Sequence, residues 1–293
     1  MTKKSDNRVT SFSLVIFSVT VIGAVKPAYS QSDASDSSFH PYHVNYWVTG
    51  GNIIGGAVLE EIGVPLLTPK SQISIGELDN LDRADFTWID RWALKFDPSQ
   101  RAYYVKLSSQ LEVVGALLPG LTLLDRNIRR DWVDVLLMYL QAQAITNNLY
   151  LYAPFGASFI NRYRPITYYD AVPIAERTNG TNRSSFYSGH TAAIAEASFF
   201  TAKIYCDYHP ELGWNKCLIY GAAAIPPLLM SYFRLRALEH FPTDLITGFG
   251  VGAVCGILVP ELHRVQDKNI TLGLYSSSEA TGLTIKWQPD FLK

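Results

Sequence analysis

Three short clusters in the sequence carry side chains suited to holding and attacking an oxyanion. They are "NRYRP" (Asn161–Pro165), "SSFYSGHTA" (Ser184–Ala192) and "FRLRALEHFPTD" (Phe233–Asp244). Ser188-Gly189-His190 stands where an apolar helical run begins. The first N–H groups of a helix lack intrahelical partners and attract anions; glycine permits close backbone approach, and serine adds a hydroxyl. Arg164 and Arg234 offer planar forks that match phosphate at two points. His240 and Asp244 are separated by one helical turn, with Pro242 in the first turn. A carboxylate holding one imidazole nitrogen leaves the other free as a nucleophile and stabilises the charge that builds on the ring. His190 is then available to protonate a leaving oxygen. Taken singly, the same residues have plainer readings: a helix cap with an incidental histidine, a helix-start ion pair, and charges flanking apolar helices. No spacing favours a metal over an anion, and no cofactor is called for.

Counting helical passes brings the clusters together. Apolar helical runs are predicted at 107–124, 133–156, 191–206, 217–233 and 243–260. The run before Arg164 and the run opening at His190 share one polar connection, so both ends face the same way. The next run leads away, the one after it returns Arg234, and His240 opens the last. Two arginines and two histidines thus converge at one end of a helical bundle, a gathering that an apolar bundle does not need for its own packing.

Of the 293 residues, 48% are hydrophobic and 17% charged, below the quarter or so usual for a soluble domain. A net charge of −1 provides no broad basic field, which excludes a nucleic-acid partner. Lys3, Lys4 and Arg8 precede the apolar run Phe12–Val25, and "AYS" follows, so residues 1–30 read as a signal peptide or signal anchor. Residues 31–106 form an N-terminal extracytoplasmic segment, 107–262 the helical bundle, and 263–293 a tail. In that tail Ile270, Leu272 and Leu274 alternate, as do Leu283, Ile285 and Trp287, which predicts a β-hairpin. The glycine-rich stretch 44–59 is expected neither to form a regular helix nor to span a membrane. On that premise Arg126, Arg129, Arg130, Lys216, Arg264 and Lys268 fall on the cytoplasmic side and the polar clusters on the other. The crossings then number five, or six if the first apolar run is retained. Cys206 and Cys217 flank a short polar connection and could pair; the alternative is that they, with Cys255, are buried thiols.

The three clusters together resemble the type 2 phosphatidic acid phosphatase and vanadium haloperoxidase superfamily, whose motifs read K-x6-R-P, P-S-G-H and S-R-x5-H-x3-D. Here they are Arg164-Pro165, Ser188 to His190, and Arg234, His240 and Asp244, in the same order and with the same internal spacings. The motif lysine is replaced by Ala157, the proline by Tyr187 and the serine by Phe233, leaving Arg162 and Arg183 as nearby cations. The resemblance implies an all-α bundle, with His240 as a nucleophile forming a phosphohistidine, Asp244 as its partner and His190 as general acid. It implies Arg164, Ser188, Gly189 and Arg234 as phosphate-binding residues. The implied activity is hydrolysis of a phosphomonoester or diphosphate, on a phosphorylated lipid (phosphatidic acid, isoprenyl diphosphate or lipid A type) or a small phosphate ester. The implied place is the bacterial inner membrane with the site facing the periplasm, or else the periplasm itself. The alternatives are a vanadate-dependent haloperoxidase and an envelope protein whose catalysis is weakened by the alanine at 157.

Overall fold

The structure, a computed structural model, describes residues 40–67, 70–83, 86–265, 270–276 and 281–287. The expected leader at 1–30 lies outside these residues. Ten helices follow in chain order: α1 Tyr46–Leu67, α2 Ile75–Asp79, α3 Arg101–Ala116, α4 Arg126–Arg130, α5 Trp132–Tyr152, α6 Ile174–Arg177, α7 Gly189–Tyr208, α8 Lys216–Ala223, α9 Ile225–Arg236 and α10 Pro242–His263. All lie in one compact unit, residues 36–267. In a second unit, Ile270–Ser276 and Thr281–Trp287 are antiparallel strands, β1 and β2, in register from Ile270 opposite Trp287 to Ser276 opposite Thr281.

Helix α7 is the axis of the bundle. It is buried along most of its length and packs most extensively on α10. Three glycines spaced four apart on α10 make that contact possible. A Cβ added at Gly248, Gly252 or Gly256 would lie 2.4, 2.0 and 2.4 Å from the carbonyl oxygens of Ser188, Ala192 and Glu196. The two backbones therefore touch, as small residues at this spacing allow between helices. The paired numbers rise together, so the helices run parallel and both N-termini lie at one end. There the Ser188 N–H donates to the Asp244 carbonyl at 3.1 Å.

The stretch expected to be irregular is a regular helix, α1, in which Gly56 and Gly63 serve packing while Gly50, Gly51 and Gly55 meet nothing within 4 Å. Gly56 and Gly63 face α5: a Cβ at Gly56 would meet the Ala144 methyl at 2.8 Å, and one at Gly63 the Tyr152 hydroxyl at 2.7 Å. The propensity deficit of glycine, about 1 kcal/mol per residue, is offset by this close approach to a neighbour.

Three continuous helical stretches are long and apolar enough to cross a bilayer: Pro98–Leu124, Pro210–Arg236 and Pro242–His263. Exposed Val113, Leu117, Leu121, Leu228, Val254 and Leu258 lie on them. These three coincide with three of the five crossings expected, the runs at 107–124, 217–233 and 243–260. Helices α5 and α7 do not qualify, for they carry Gln141, Gln143, Asn147, Asn148 and Glu196. The three cysteines are free thiols, Cys206 and Cys255 buried and Cys217 exposed, so the possible Cys206–Cys217 bridge is not made.

Gly252→Val should lower the thermal unfolding midpoint in detergent, with destabilisation of about 1–3 kcal/mol or more from overpacking against a backbone carbonyl that cannot yield. Gly250 meets nothing within 4 Å. Gly250→Ala should therefore be neutral or stabilise by up to about 1 kcal/mol.

Candidate functional site

The cluster "FRLRALEH" folds back on itself. Helix α9 ends at Arg236, and buried Leu238 adopts a left-handed conformation with φ 57°. A non-glycine residue there is strained, and the turn it makes returns the Glu239 N–H to the Arg234 carbonyl at 3.1 Å. The Glu239 carboxylate is thereby buried among three guanidinium groups. It accepts from Arg101 Nη2 at 2.6 Å, from Arg234 Nη2 at 3.2 Å, and from Arg164 Nη1. Burial opposes its charge, but Arg164, Arg234 and Arg101 hold its pKa at about 2. Each motif arginine gives the carboxylate one terminal nitrogen and keeps its Nε edge. The Nε–H groups of Arg164 and Arg234 are buried with no acceptor among the described residues. Buried donors left unpaired are rare in folded proteins, and a pair of arginine edges is a site for an oxyanion.

Beside the arginines lies His240, 2% exposed. Its Nδ1 is 2.6 Å from the Ser185 carbonyl oxygen. A carbonyl only accepts, so Nδ1 carries the proton and the lone pair sits on Nε2. Burial, then the charges of Arg234 and Arg164, push the ring's pKa well below the usual imidazole value, so it is neutral at pH 7. Asp244 was expected to grip this ring directly, but its Oδ2 lies 4.0 Å from Nδ1. It acts one bond removed: Oδ2 accepts from Ser185 Oγ at 2.6 Å and from the Phe241 N–H at 2.8 Å. The carboxylate thus fixes the residue whose carbonyl fixes the imidazole. Arg162 Nη1 donates to Asp244 Oδ1, and its Nη2 reaches Asp90 at 2.7 Å. Asp90 in turn accepts from the N–H and hydroxyl of Thr243.

His190 stands in the first turn of α7, a third exposed, with Nε2 3.4 Å from Glu112 Oε2. Burial and the charges of Arg234 and Arg164 lower its pKa to about 3, while Glu239 opposes them. Gly189 opens the helix with its Cα against the Tyr150 ring. Ser188 is buried and caps the helix, its hydroxyl 3.4 Å from the Thr191 N–H and 3.0 Å from the Thr191 hydroxyl.

Neither cation near the missing lysine replaces it. Arg162 is committed to the two aspartates. Arg183 is spent on Glu77, on the Tyr163 hydroxyl at 3.0 Å and on the Ser71 and Gln72 carbonyls. Lys70 points at backbone, donating to the carbonyls of Ala157 and Ile160 at 2.7 and 2.9 Å. The third cation of the cluster is Arg101, which opens α3. Sequence reasoning missed Arg101, Glu239 and Ser185. Glu239 had a signal, an acid set between an arginine-rich helix end and a histidine; Arg101 and Ser185 had none.

The model of the PAP2 superfamily matches residues 131–268. A solved structure similar to this chain is the first transmembrane PAP2-type phosphatidylglycerolphosphate phosphatase from Bacillus subtilis. Its identity is 20% and its TM-score 0.40, over 72% of this chain and 95% of that one. No protein of curated function matches the chain.

Glu239→Ala leaves three arginines without their shared counter-charge. Unfolding should be easier by about 3–5 kcal/mol, the usual result of removing one partner of a buried ion pair. Added orthophosphate should raise the unfolding midpoint of the variant more than that of the wild type, because it supplies the lost anion. Equal gains in both proteins would show that the arginines do not bind the added ion.

Proposed function

We propose that this chain, whose residues 131–268 belong to the PAP2 superfamily, is a membrane phosphatase that hydrolyses phosphate esters of lipids through a phosphohistidine. One observation carries the reading: the unpaired Nε edges of Arg164 and Arg234 lie beside a neutral His240 whose Nε2 holds a lone pair. The arginine edges hold the non-bridging oxygens, and Nε2 attacks phosphorus in line with the leaving oxygen. The phosphorus–oxygen bond of the ester breaks as the phosphorus–nitrogen bond forms. His190, protonated by the incoming monoanion, gives that proton to the departing alkoxide; it then takes one from the water that attacks the phosphohistidine and passes it to the departing orthophosphate, restoring both rings. The charge that builds on His240 is met by the Ser185 carbonyl, which Asp244 holds in place. Preorganised charges of this kind supply most of the acceleration in phosphoryl transfer.

The lowered pKa of His190 bears on the proton supply. In the free protein at neutral pH the ring carries no extra proton. A phosphomonoester has its second pKa near about 6, so a substrate arriving as the monoanion brings the proton that His190 relays. The three stretches able to cross a bilayer support a lipid substrate. The site lies at the bundle end opposite Arg129, Arg130 and Arg264, and the positive-inside rule favours an extracytoplasmic, periplasmic opening for it.

Purified protein should release orthophosphate from dioleoyl phosphatidic acid in detergent with EDTA present, and His240→Ala should lose about 10³-fold or more of that rate. Equal release by the variant would remove His240 from the nucleophile role. With a monoester substrate, kcat/KM should be highest on the acid side of pH 7. It should fall as pH rises through the second phosphate pKa of about 6, since the proton His190 needs is then no longer delivered.

A further inference from the structure

Beside His190 a cavity of about 220 Å³ opens between α1, α3, α5 and α7. It has two carboxylates in its wall, Glu60 and Glu112, and no arginine or lysine. Apolar Val64 and Leu151 line it too. Glu60 is held toward α5 by Asn147, whose amide lies 3.2 Å from each carboxylate oxygen. It belongs to the helix face that Gly56 and Gly63 press onto α5, so its position follows from the packing of α1. Glu112 lies 3.4 Å from His190 Nε2. The arginines are elsewhere: Arg101, Arg164 and Arg234 gather on Glu239 and do not line this cavity.

We infer that this cavity receives the leaving group, and that its acidic wall makes the protein select a phosphomonoester with an uncharged or cationic leaving group against a diphosphate. The inference rests on the reading of His190 as the acid that protonates the leaving oxygen. In a monoester, the group leaving past His190 is an alcohol, and Glu60 and Glu112 accept hydrogen bonds from its hydroxyl or ammonium neighbours. In a diphosphate, the departing group is a second phosphate. It would enter a cavity with two like charges and no cation, at distances where charges are only partly screened. The arginine cluster acts on this cavity only through space, Arg234 on Glu112 and His190, since no guanidinium group lines it.

The test compares farnesyl phosphate with farnesyl diphosphate in detergent, so that the second phosphate is the sole difference. Wild type should favour the monophosphate in kcat/KM by about tenfold or more, the scale of one unfavourable charge contact. In the Glu60→Gln, Glu112→Gln double variant this ratio should fall by about tenfold or more, chiefly through faster diphosphate turnover. The ratio is the readout, because a variant that merely folds less well loses both rates together. A wild type that prefers the diphosphate, or a ratio that the double variant leaves unchanged, overturns the selectivity while the phosphatase reading stands. No turnover of phosphatidic acid or of either farnesyl ester overturns the phosphatase reading and the selectivity with it.

Discussion

The contact between the backbones of α7 and α10 is the constraint on which the rest of the structure depends. Side chains normally keep helix axes 8–10 Å apart. Glycine at 248, 252 and 256 removes that spacer, so the α10 backbone rests on the carbonyls of α7. Because the helices are parallel, the contact also sets the two N-termini side by side. Ser188-Gly189-His190 opens one helix, and His240 and Asp244 open the other. The Ser188 to Asp244 backbone bond fixes their register. Two imidazoles from distant parts of the chain are thus placed by backbone contact rather than by flexible side chains. Placement of that kind keeps a reactive geometry within a fraction of an ångström.

Burying arginine beside histidine creates an electrostatic problem, and Glu239 answers part of it. Arg234 is 5% exposed and Arg164 is close by. Burial, together with the charges of buried Arg234 and half-buried Arg164, suppresses protonation of both histidines. Glu239 balances part of that charge and at the same time sets the orientation of both forks. It takes one terminal nitrogen of each and leaves the Nε edges unpaired. A counter-ion of this kind orients both guanidinium groups toward the proposed anion site without occupying it. The strained turn at Leu238 is what allows the acid to reach back under Arg234, and such strain persists only where surrounding contacts over-determine it.

How much of this was legible in the sequence depended on whether the physics was local. Residue types at fixed spacings are local, so the three clusters could be read directly. Helix parity is nearly so, and it sufficed to predict that Arg164 and Arg234 meet. The partner of His240 was not legible: i, i+4 spacing brings Asp244 near the ring, but a backbone carbonyl from another segment takes the closer position. Arg101 precedes every motif and enters only because α3 packs against α9 and α7. Helix α1 was misread for a related reason. Propensity treats a glycine as a loss to an isolated helix, whereas Gly56 and Gly63 let α1 approach α5. Polar residues on α5 and α7 keep both helices less apolar than the three stretches long and apolar enough to cross a bilayer. Gln143 bonds Glu196 and Asn147 bonds Glu60 between helices.

The alanine at position 157 then has a structural meaning. Ala157 is fully buried, and its carbonyl accepts from Lys70. A long cation at 157 would have to leave that packed position, where the chain has already placed an ammonium group on the backbone side. The third cation of the cluster comes from α3, through Arg101, and it arrives already bonded to Glu239 and Glu176. A lysine ammonium is a point charge free to follow a ligand, whereas a guanidinium bridging two carboxylates is fixed. A rigid frame discriminates among ligands by where their charges fall, so the wall of the adjoining cavity, acidic and without a cation, gains influence over which esters can be accommodated.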